Sequence, residues 1–75
     1  MWQSMPKLPL VSGAEPIRAL ERLGFRVVRQ RGSHIVLRRG NSGCVVPSHR
    51  ELKLGTLAGL LKQAGVSTDE FLVAL

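Results

Sequence analysis

The fold is decided by residues 29–37, which read Arg29-Gln30-Arg31-Gly32-Ser33-His34-Ile35-Val36-Leu37. Apolar and polar residues alternate on both sides of Arg31-Gly32, and this pattern predicts two β-strands joined by a tight turn. If the second strand begins at Ser33, one of its faces carries Ser33, Ile35 and Leu37. The opposite face carries His34, Val36 and Arg38. Because Ile35 and Leu37 favour a core, His34 should face water or a ligand.

Four arginines lie close to this histidine in the sequence: Arg29, Arg31, Arg38 and Arg39. An imidazole can transfer a proton near neutral pH, and a guanidinium group binds phosphate through its planar fork. Gly32 allows a ligand to approach the backbone closely. These are the groups needed to bind a phosphodiester and move a proton on it. The alternative is a hairpin whose polar face carries a histidine with no chemical role.

The positive charge of the chain is concentrated around this hairpin. The 75 residues form one small domain with a net charge of +6. From Arg26 to Lys53 there are seven basic residues and one acid, Glu51. Such a dense basic segment indicates a polyanionic partner, with RNA and DNA first. The alternative is a solvated surface that is merely basic.

Several classes of protein are disfavoured by the composition. A single cysteine, Cys44, excludes an internal disulfide and is expected to be a small core residue. The two histidines and this cysteine lack ligand-like spacing, so we expect neither a metal nor another cofactor. No apolar run is long enough to cross a membrane and no signal peptide is visible. We therefore expect a cytoplasmic protein with no membrane partner.

The N-terminal part is predicted to be an extended lead-in, residues 1–11, followed by one domain over residues 12–75. Ser12 and Glu15 fit a capping box, so the first helix should begin near Ser12. Pro16 then falls at an awkward fourth position, and the true start could lie one residue later. An apolar stripe of Ile17, Leu20 and Leu23 should face the core, and Gly24 should end the helix.

Three strands are predicted next, over residues 25–30, 33–39 and 44–47. The turn signals are Arg31-Gly32 and the segment of residues 40–43, Gly-Asn-Ser-Gly. Short turns between consecutive strands predict an antiparallel meander. Simple alternation places Arg29 on the same face as Phe25 and Val27, so its position relative to His34 is left open.

The C-terminal part is predicted to contain two helices. Apolar residues at helical spacing (Leu57, Leu60, Leu61 and Ala64) predict a helix from Gly55 or Thr56 to Ala64, ended by Gly65. A second capping box, Ser67 to Glu70, predicts a short last helix, with Val66 and Phe71 at the hydrophobic-staple positions. The fold class is therefore α+β, with the order α-β-β-β-α plus a short C-terminal helix. Both long helices should pack on one face of a three-stranded antiparallel sheet and leave the face with His34 open.

With these elements in order, the sequence resembles the HicA-type toxins of bacterial toxin–antitoxin pairs over nearly all of residues 5–75. The resemblance is carried by Gly32-Ser33-His34 together with segments in a fixed order. These segments are Val11-Ser12-Gly13, Leu20-Glu21-Arg22-Leu23-Gly24-Phe25, Val46-Pro47-Ser48-His49, Leu52-Lys53-Leu54-Gly55-Thr56-Leu57 and Lys62-Gln63-Ala64-Gly65. It implies a fold like that of double-stranded-RNA-binding domains, ribonuclease activity on mRNA, and a HicB-like antitoxin as partner.

The resemblance also implies that His34 is catalytic. His49 matches a histidine that often follows the family's Val-Pro step; it is either a complementary acid or an ordinary loop histidine. We expect RNA phosphate contacts from the set Arg29, Arg31, Gly32, Ser33 and Arg38. Because RNA carries its own nucleophile, the 2′-hydroxyl, the expected reaction is metal-independent, with His34 as general base or acid. Two alternatives remain from the sequence: a non-catalytic RNA-binding module, and a small protein-interaction domain with an acidic partner.

Overall fold

The computed structural model describes residues 11, 14–48 and 51–75, and it confirms the predicted order of helices and strands. The elements are α1 (Glu15–Arg22), β1 (Arg26–Arg31), β2 (His34–Arg39), β3 (Ser42–Pro47), α2 (Leu54–Ala64) and α3 (Thr68–Ala74). The protein is thus an α-β-β-β-α domain of the α+β class with an additional C-terminal helix.

The three strands form one antiparallel sheet in the order β1-β2-β3. Each hairpin has a two-residue turn that begins with a glycine of positive φ, +57° at Gly32 and +60° at Gly40. Glycine at the first central position suits the twist of tight hairpins. The first turn is Gly32-Ser33 and not Arg31-Gly32, so β2 begins at His34, one residue later than predicted. Strand β3 begins at Ser42, two residues earlier than predicted, because Ser42 still pairs with Arg39.

A β-bulge interrupts β1 at Val28. Val27 lies opposite Leu37, but the next pair along the ladder is Arg29 with Val36, so Val28 is an extra residue. An extra residue shifts the side-chain alternation of the rest of the strand by one position. The interpretation that Arg29 shares a face with Val27 was therefore wrong: the bulge turns Arg29 to the opposite face.

Helix α1 begins later than the sequence predicted. Its N-cap is Ala14, which makes no side-chain hydrogen bond, and Glu15 is the first helical residue. The predicted cap, Ser12, lies outside the described residues. The late start moves Pro16 to the first turn, where its missing N–H costs no intrahelical hydrogen bond. The helix ends at Arg22, close to Gly24, which was predicted to end it. Gly24 takes a positive φ of +98°.

The core lies between the helices and one face of the sheet. From the sheet, Ile35, Leu37, Cys44 and Val46 are buried, and from α2 the predicted Leu57, Leu60, Leu61 and Ala64 are all buried. Val11 also belongs to this core, and its carbonyl accepts a 2.8 Å hydrogen bond from the N–H of Leu52. The sheet thus buries the face that carries Ile35 and Leu37 and exposes the other, as the alternation along β2 predicted.

The end of α2 and the start of α3 lie where the sequence predicted, whereas α2 begins at Leu54, one residue before Gly55. Gly65 terminates α2 with a left-handed φ of +74°. Ser67 and Glu70 form a reciprocal capping box at the start of α3. Val66 and Phe71, at the two staple positions, are both buried. Arg22 of α1 then holds the end of α3, because its Nη1 donates a 2.7 Å hydrogen bond to the carbonyl of Ala74.

None of the described helices is both long enough and apolar enough to span a membrane.

Candidate nucleic-acid interface

The face of the sheet opposite the helices carries three cross-strand rows, and we call it the open face. Residues directly opposite one another in an antiparallel sheet share a face. The first row is Arg31, His34 and Pro47; the second is Arg29, Val36 and Val45; the third is Arg26, Arg38 and Gly43. Four arginines and one histidine therefore project from the same side of a small sheet.

His34 is the first residue of β2 and lies at one end of the open face. It is exposed, while Ile35 beside it is buried, so the backbone of β2 fixes the direction of the imidazole. Arg31 lies directly opposite it on β1 and Pro47 directly opposite it on β3. A ligand at this end of the sheet would meet an imidazole and a guanidinium group together.

The turn that precedes His34 leaves its backbone accessible. A Cβ placed on Gly32 would meet no other atom within 4 Å, so the space next to this glycine is open. The Gln30 side chain donates a 3.1 Å hydrogen bond to the Gly32 carbonyl and ties the turn to β1. Ser33 belongs to this turn and not to the strand. The turn therefore allows a ligand to come close to the main chain beside His34.

The arginines of the open face are available to a ligand. In the part of the chain that the structure describes, the arginine side chains that hydrogen-bond to protein are those of Arg22 and Arg39. Those of the open face (Arg26, Arg29, Arg31 and Arg38) are exposed and make no such bond. Unpaired guanidinium groups on one surface produce a positive potential that attracts polyanions. The open face thus has the electrostatic character of a phosphate-binding surface.

Arg39 is different, because three contacts fix its position. Its Nη1 donates a 2.8 Å hydrogen bond to the Leu23 carbonyl, and its guanidinium carbon lies 4.7 Å from the centre of the Phe25 ring. Its aliphatic stem passes Gly24, where a Cβ would lie 3.3 Å from Cδ. Arg39 therefore holds the start of β1 against β2, and its guanidinium group also interacts electrostatically with Glu70.

The end of β3 is anchored to the turn that carries Gly32-Ser33. The Ser48 backbone N–H donates a 2.8 Å hydrogen bond to the Ser33 carbonyl, and the Ser48 hydroxyl donates a second at 3.2 Å to the same oxygen. Ser48 therefore lies next to the turn at the His34 end of the sheet. His49, the candidate second acid or base, lies outside the described residues.

A second feature lies at the other end of the sheet from His34. An open depression of about 380 Å³ is lined by Gly24, Arg26, Val28, Arg38, Arg39 and Gly40. It contains the two opposed arginines of the third row and the fixed Arg39. Its lining includes two glycines of positive φ, Gly24 and Gly40, and three arginines, of which Arg39 also interacts electrostatically with Glu70.

Outside the open face, a nucleophilic thiol and a metal site are the two other kinds of chemistry to consider. Cys44 is buried in the core, as predicted, and burial raises the pKa of its thiol, which keeps it protonated and unreactive near neutral pH. Within residues 14–48 and 51–75, no three His, Cys, Asp or Glu side chains are grouped so that they could hold a metal ion.

The structure brings most of the predicted site residues together. His34 and Arg38 lie on the open face, as the alternation along β2 predicted. Arg31, predicted in the turn, joins them because β1 extends to Arg31, and the turn beside it is Gly32-Ser33. Arg29 joins them only because of the bulge at Val28. Sequence reasoning missed Arg26 as a member of this surface, since its pairing with Arg38 depends on a register that simple alternation does not reveal.

Comparison with known proteins supplies an independent result. The sequence matches the family model for the HicA toxin of bacterial toxin–antitoxin over residues 13–66. No curated protein and no solved structure gave a match. The matched segment contains α1, the whole sheet and α2, including the open face and His34. Since it covers more than half of the 75 residues, the chain belongs to the HicA family of bacterial toxins, each of which acts with an antitoxin.

Proposed function

We propose that this toxin is a metal-independent endoribonuclease that cleaves mRNA on the open face of its sheet, with His34 as general acid or base. The single observation that carries the proposal is the position of His34. Its imidazole is exposed at the end of a strand, directly opposite Arg31, and next to a turn whose backbone is open at Gly32. Proton transfer and phosphate binding are thereby available at one place.

The proposed reaction uses the nucleophile that RNA itself carries. The 2′-oxygen attacks the adjacent phosphorus as a base removes its proton, and the bond from phosphorus to the 5′-oxygen breaks as that oxygen receives a proton. The products are a 2′,3′-cyclic phosphate and a 5′-hydroxyl. His34 performs one of the two proton transfers. Arginines stabilise the negative charge that develops on the phosphorane.

The remaining site residues have supporting parts in this proposal. Arg31, Arg29 and Arg38 bind phosphate groups of the substrate through their free guanidinium groups. Gly32 and Ser33 allow the RNA backbone to approach the turn. His49 is the proposed complementary acid or base, since the segment that contains it follows Ser48, which is anchored to Ser33.

The partners follow from the same surface. We propose a HicB-like antitoxin whose acidic groups cover the open face and exclude RNA from it. We place the protein in the cytoplasm, where its mRNA substrate is made. The order α-β-β-β-α is also compatible with a fold like that of double-stranded-RNA-binding domains, although here the open face of the sheet is the proposed RNA surface.

A non-catalytic RNA-binding module would use the same arginines, so the decisive experiment must follow the chemistry. Purified protein is incubated in excess EDTA with a labelled RNA, and with the same RNA carrying a 2′-O-methyl group at the scissile nucleotide. We expect the unmodified RNA to be cleaved to a 2′,3′-cyclic phosphate and the methylated RNA to remain intact.

Three outcomes would count against this proposal. Cleavage that stops in EDTA and returns with magnesium would indicate a metal-dependent mechanism. Binding of both RNAs without cleavage of either would favour the non-catalytic module. Cleavage of the methylated RNA at the same bond would exclude the 2′-oxygen as nucleophile.

A further inference from the structure

We infer that the Arg26–Arg38 end of the open face is a second phosphate site, which binds a backbone phosphate of single-stranded RNA away from the phosphate at His34. The inference rests on the proposed function, because it places a longer substrate on the same surface. The site consists of the open depression lined by Arg26, Arg38 and Arg39 together with Gly24, Val28 and Gly40.

The composition of the depression favours an anion with several oxygens. Arg26 and Arg38 are a directly opposed cross-strand pair. Like charges opposite one another in a sheet repel, and neither residue has an acidic partner among the described residues to offset the repulsion. An anion bound between them would remove that repulsion. Guanidinium groups bind phosphate through two parallel hydrogen bonds, which suits this arrangement.

Arg39 borders the depression from the helix side of the sheet, since it alternates with Arg38 along β2. The Leu23 carbonyl, the Phe25 ring and Gly24 hold its side chain, so it gives the depression a fixed wall. Gly43 faces Arg38 in the third row, where a Cβ would lie 3.1 Å from the Leu37 carbonyl oxygen and 3.4 Å from Cγ of Arg38.

The exposed cations of the open face favour contacts with the RNA backbone. Bases of single-stranded RNA stack on aromatic rings, histidine included, and on guanidinium planes. Among the described residues the aromatic side chains other than His34 are Phe25 and Phe71, and both are buried. The exposed cations of the face, in contrast, are suited to phosphate. A second phosphate contact is therefore the means by which this surface can hold a longer strand.

The spacing of the two sites sets the length of RNA required. His34 and Arg38 are four residues apart on β2, which corresponds to about 13 Å along a strand. At about 3.4 Å per stacked nucleotide, this distance spans up to about four nucleotides, and fewer if the strand is extended. A dinucleotide at His34 would not reach the second site, whereas an oligomer of six to eight nucleotides would.

The test measures binding without cleavage. Fully 2′-O-methylated single-stranded RNAs of two to ten nucleotides are titrated by fluorescence anisotropy into wild-type protein, Arg26→Gln and the control Arg18→Gln. Arg18 is an exposed arginine of α1, so its replacement changes the net charge equally but lies off the open face. Circular dichroism verifies the fold of each variant.

We expect Arg26→Gln to bind the longer oligomers about tenfold more weakly and dinucleotides normally, and Arg18→Gln to match wild type. The dependence of log K on log salt should become shallower by about 0.7 for the lost phosphate contact. Equal behaviour of the two variants at every length would overturn the inference. Weaker binding of all lengths, dinucleotides included, would also overturn it, since Arg26 would then contact the phosphate at His34.

Two further results separate this inference from the proposed function. If Arg26→Gln leaves RNA binding intact but weakens binding of a purified antitoxin, the depression receives a carboxylate of the partner and not an RNA phosphate, and the inference fails. If length-dependent binding is lost as expected but His34→Ala still cleaves unmodified RNA, the second phosphate site stands and the catalytic assignment of His34 fails.

Discussion

The backbone N–H of Ser48 donates a 2.8 Å hydrogen bond to the carbonyl of Ser33, and the Ser48 hydroxyl donates a second bond of 3.2 Å to the same oxygen. These bonds join the end of β3 to the turn that precedes His34. They hold Ser48, the residue that precedes His49 in the sequence, beside the turn that carries Gly32-Ser33.

This link predicts a graded effect of substitutions at Ser48. Ser48→Ala removes the longer bond and keeps the shorter one, so it should lower RNA cleavage only slightly. Ser48→Pro removes the N–H donor as well and should lower kcat at least tenfold with a small change in melting temperature. Steady-state cleavage assays measure both. Equal activity of the proline and alanine variants would show that the link does not position catalytic groups.

His34→Ala should abolish RNA cleavage and toxicity without unfolding the protein. The side chain is exposed on the open face, so its removal leaves no cavity. Growth after induction measures toxicity, and circular dichroism measures folding. The control is Arg18→Ala, an exposed substitution on α1 that should remain toxic. A folded His34→Ala protein that still arrests growth would contradict the catalytic assignment.

Leu60→Ala should destabilise the protein by about 2–5 kcal/mol, the usual range for a truncated core leucine. Leu60 is 5% exposed in the core face of α2, whereas Leu54 in the same helix is 48% exposed. Leu54→Ala is therefore a matched control, with an expected change of under about 0.5 kcal/mol. Urea denaturation gives both values. A small domain has little stability to lose, so Leu60→Ala should also lose activity through unfolding. Equal urea midpoints for the two variants would contradict the orientation of α2.

The helices and strands that follow from local sequence patterns could be predicted, whereas a feature that depends on strand pairing could not. Helix α2 and the capping box of α3 are specified by local patterns, and both were found as predicted. The bulge at Val28 is not local, because it depends on how β1 pairs with β2. One extra residue moved Arg29 to the open face and aligned Arg26 with Arg38. Sequence alternation therefore predicted correctly which face of β2 carries His34 and misplaced part of the arginines around it.

At the start of α1 a local signal was misleading, because the spacing of a capping box does not mark where the helix begins. Ser12 and Glu15 have the spacing of a capping box, yet the helix begins at Glu15 after Ala14. Pro16 explains the difference, since proline is well tolerated in the first turn of a helix and poorly tolerated deeper in it. The position of a proline relative to a candidate cap therefore carries more weight than the cap itself.

The stability of the protein should depend on pH through Glu70 at the start of α3. Hydrogen bonds from the backbone N–H of Ser67, and then from its hydroxyl, lower the pKa of the Glu70 carboxyl. A lowered folded-state pKa contributes stability above the ordinary carboxyl value of about 4.3, and this contribution is lost as the pH falls through the folded-state pKa. Glu70→Gln should therefore lower the urea midpoint at pH 7 and approach wild type at low pH.

Asp69→Asn is the control for this experiment, because Asp69 lies in the same first turn of α3 and makes no capping-box bond. Its effect on the urea midpoint should be smaller at pH 7. A difference between wild type and Glu70→Gln that stays constant from pH 7 down to the acid limit would show that the charge of Glu70 does not stabilise the cap.

Charge reversal on the open face should weaken the binding of RNA and of the antitoxin together. Arg31 lies opposite His34, and Arg38 lies in the third row of the same face. Both are exposed and unpaired within the described residues, so an acidic partner that excludes RNA would bind the same guanidinium groups with fast, salt-dependent association. We expect Arg31→Glu and Arg38→Glu to lose RNA cleavage and also to bind a purified HicB-like antitoxin more weakly. Arg18→Glu, which reverses an equal charge on α1, should leave RNA cleavage and antitoxin binding unchanged.

Titrations of each variant with RNA and with antitoxin, at low and high salt, measure these effects. If both reversals on the sheet abolish cleavage while the affinity for antitoxin and its salt dependence stay as in wild type, the antitoxin binds elsewhere and inhibits without competing for the open face.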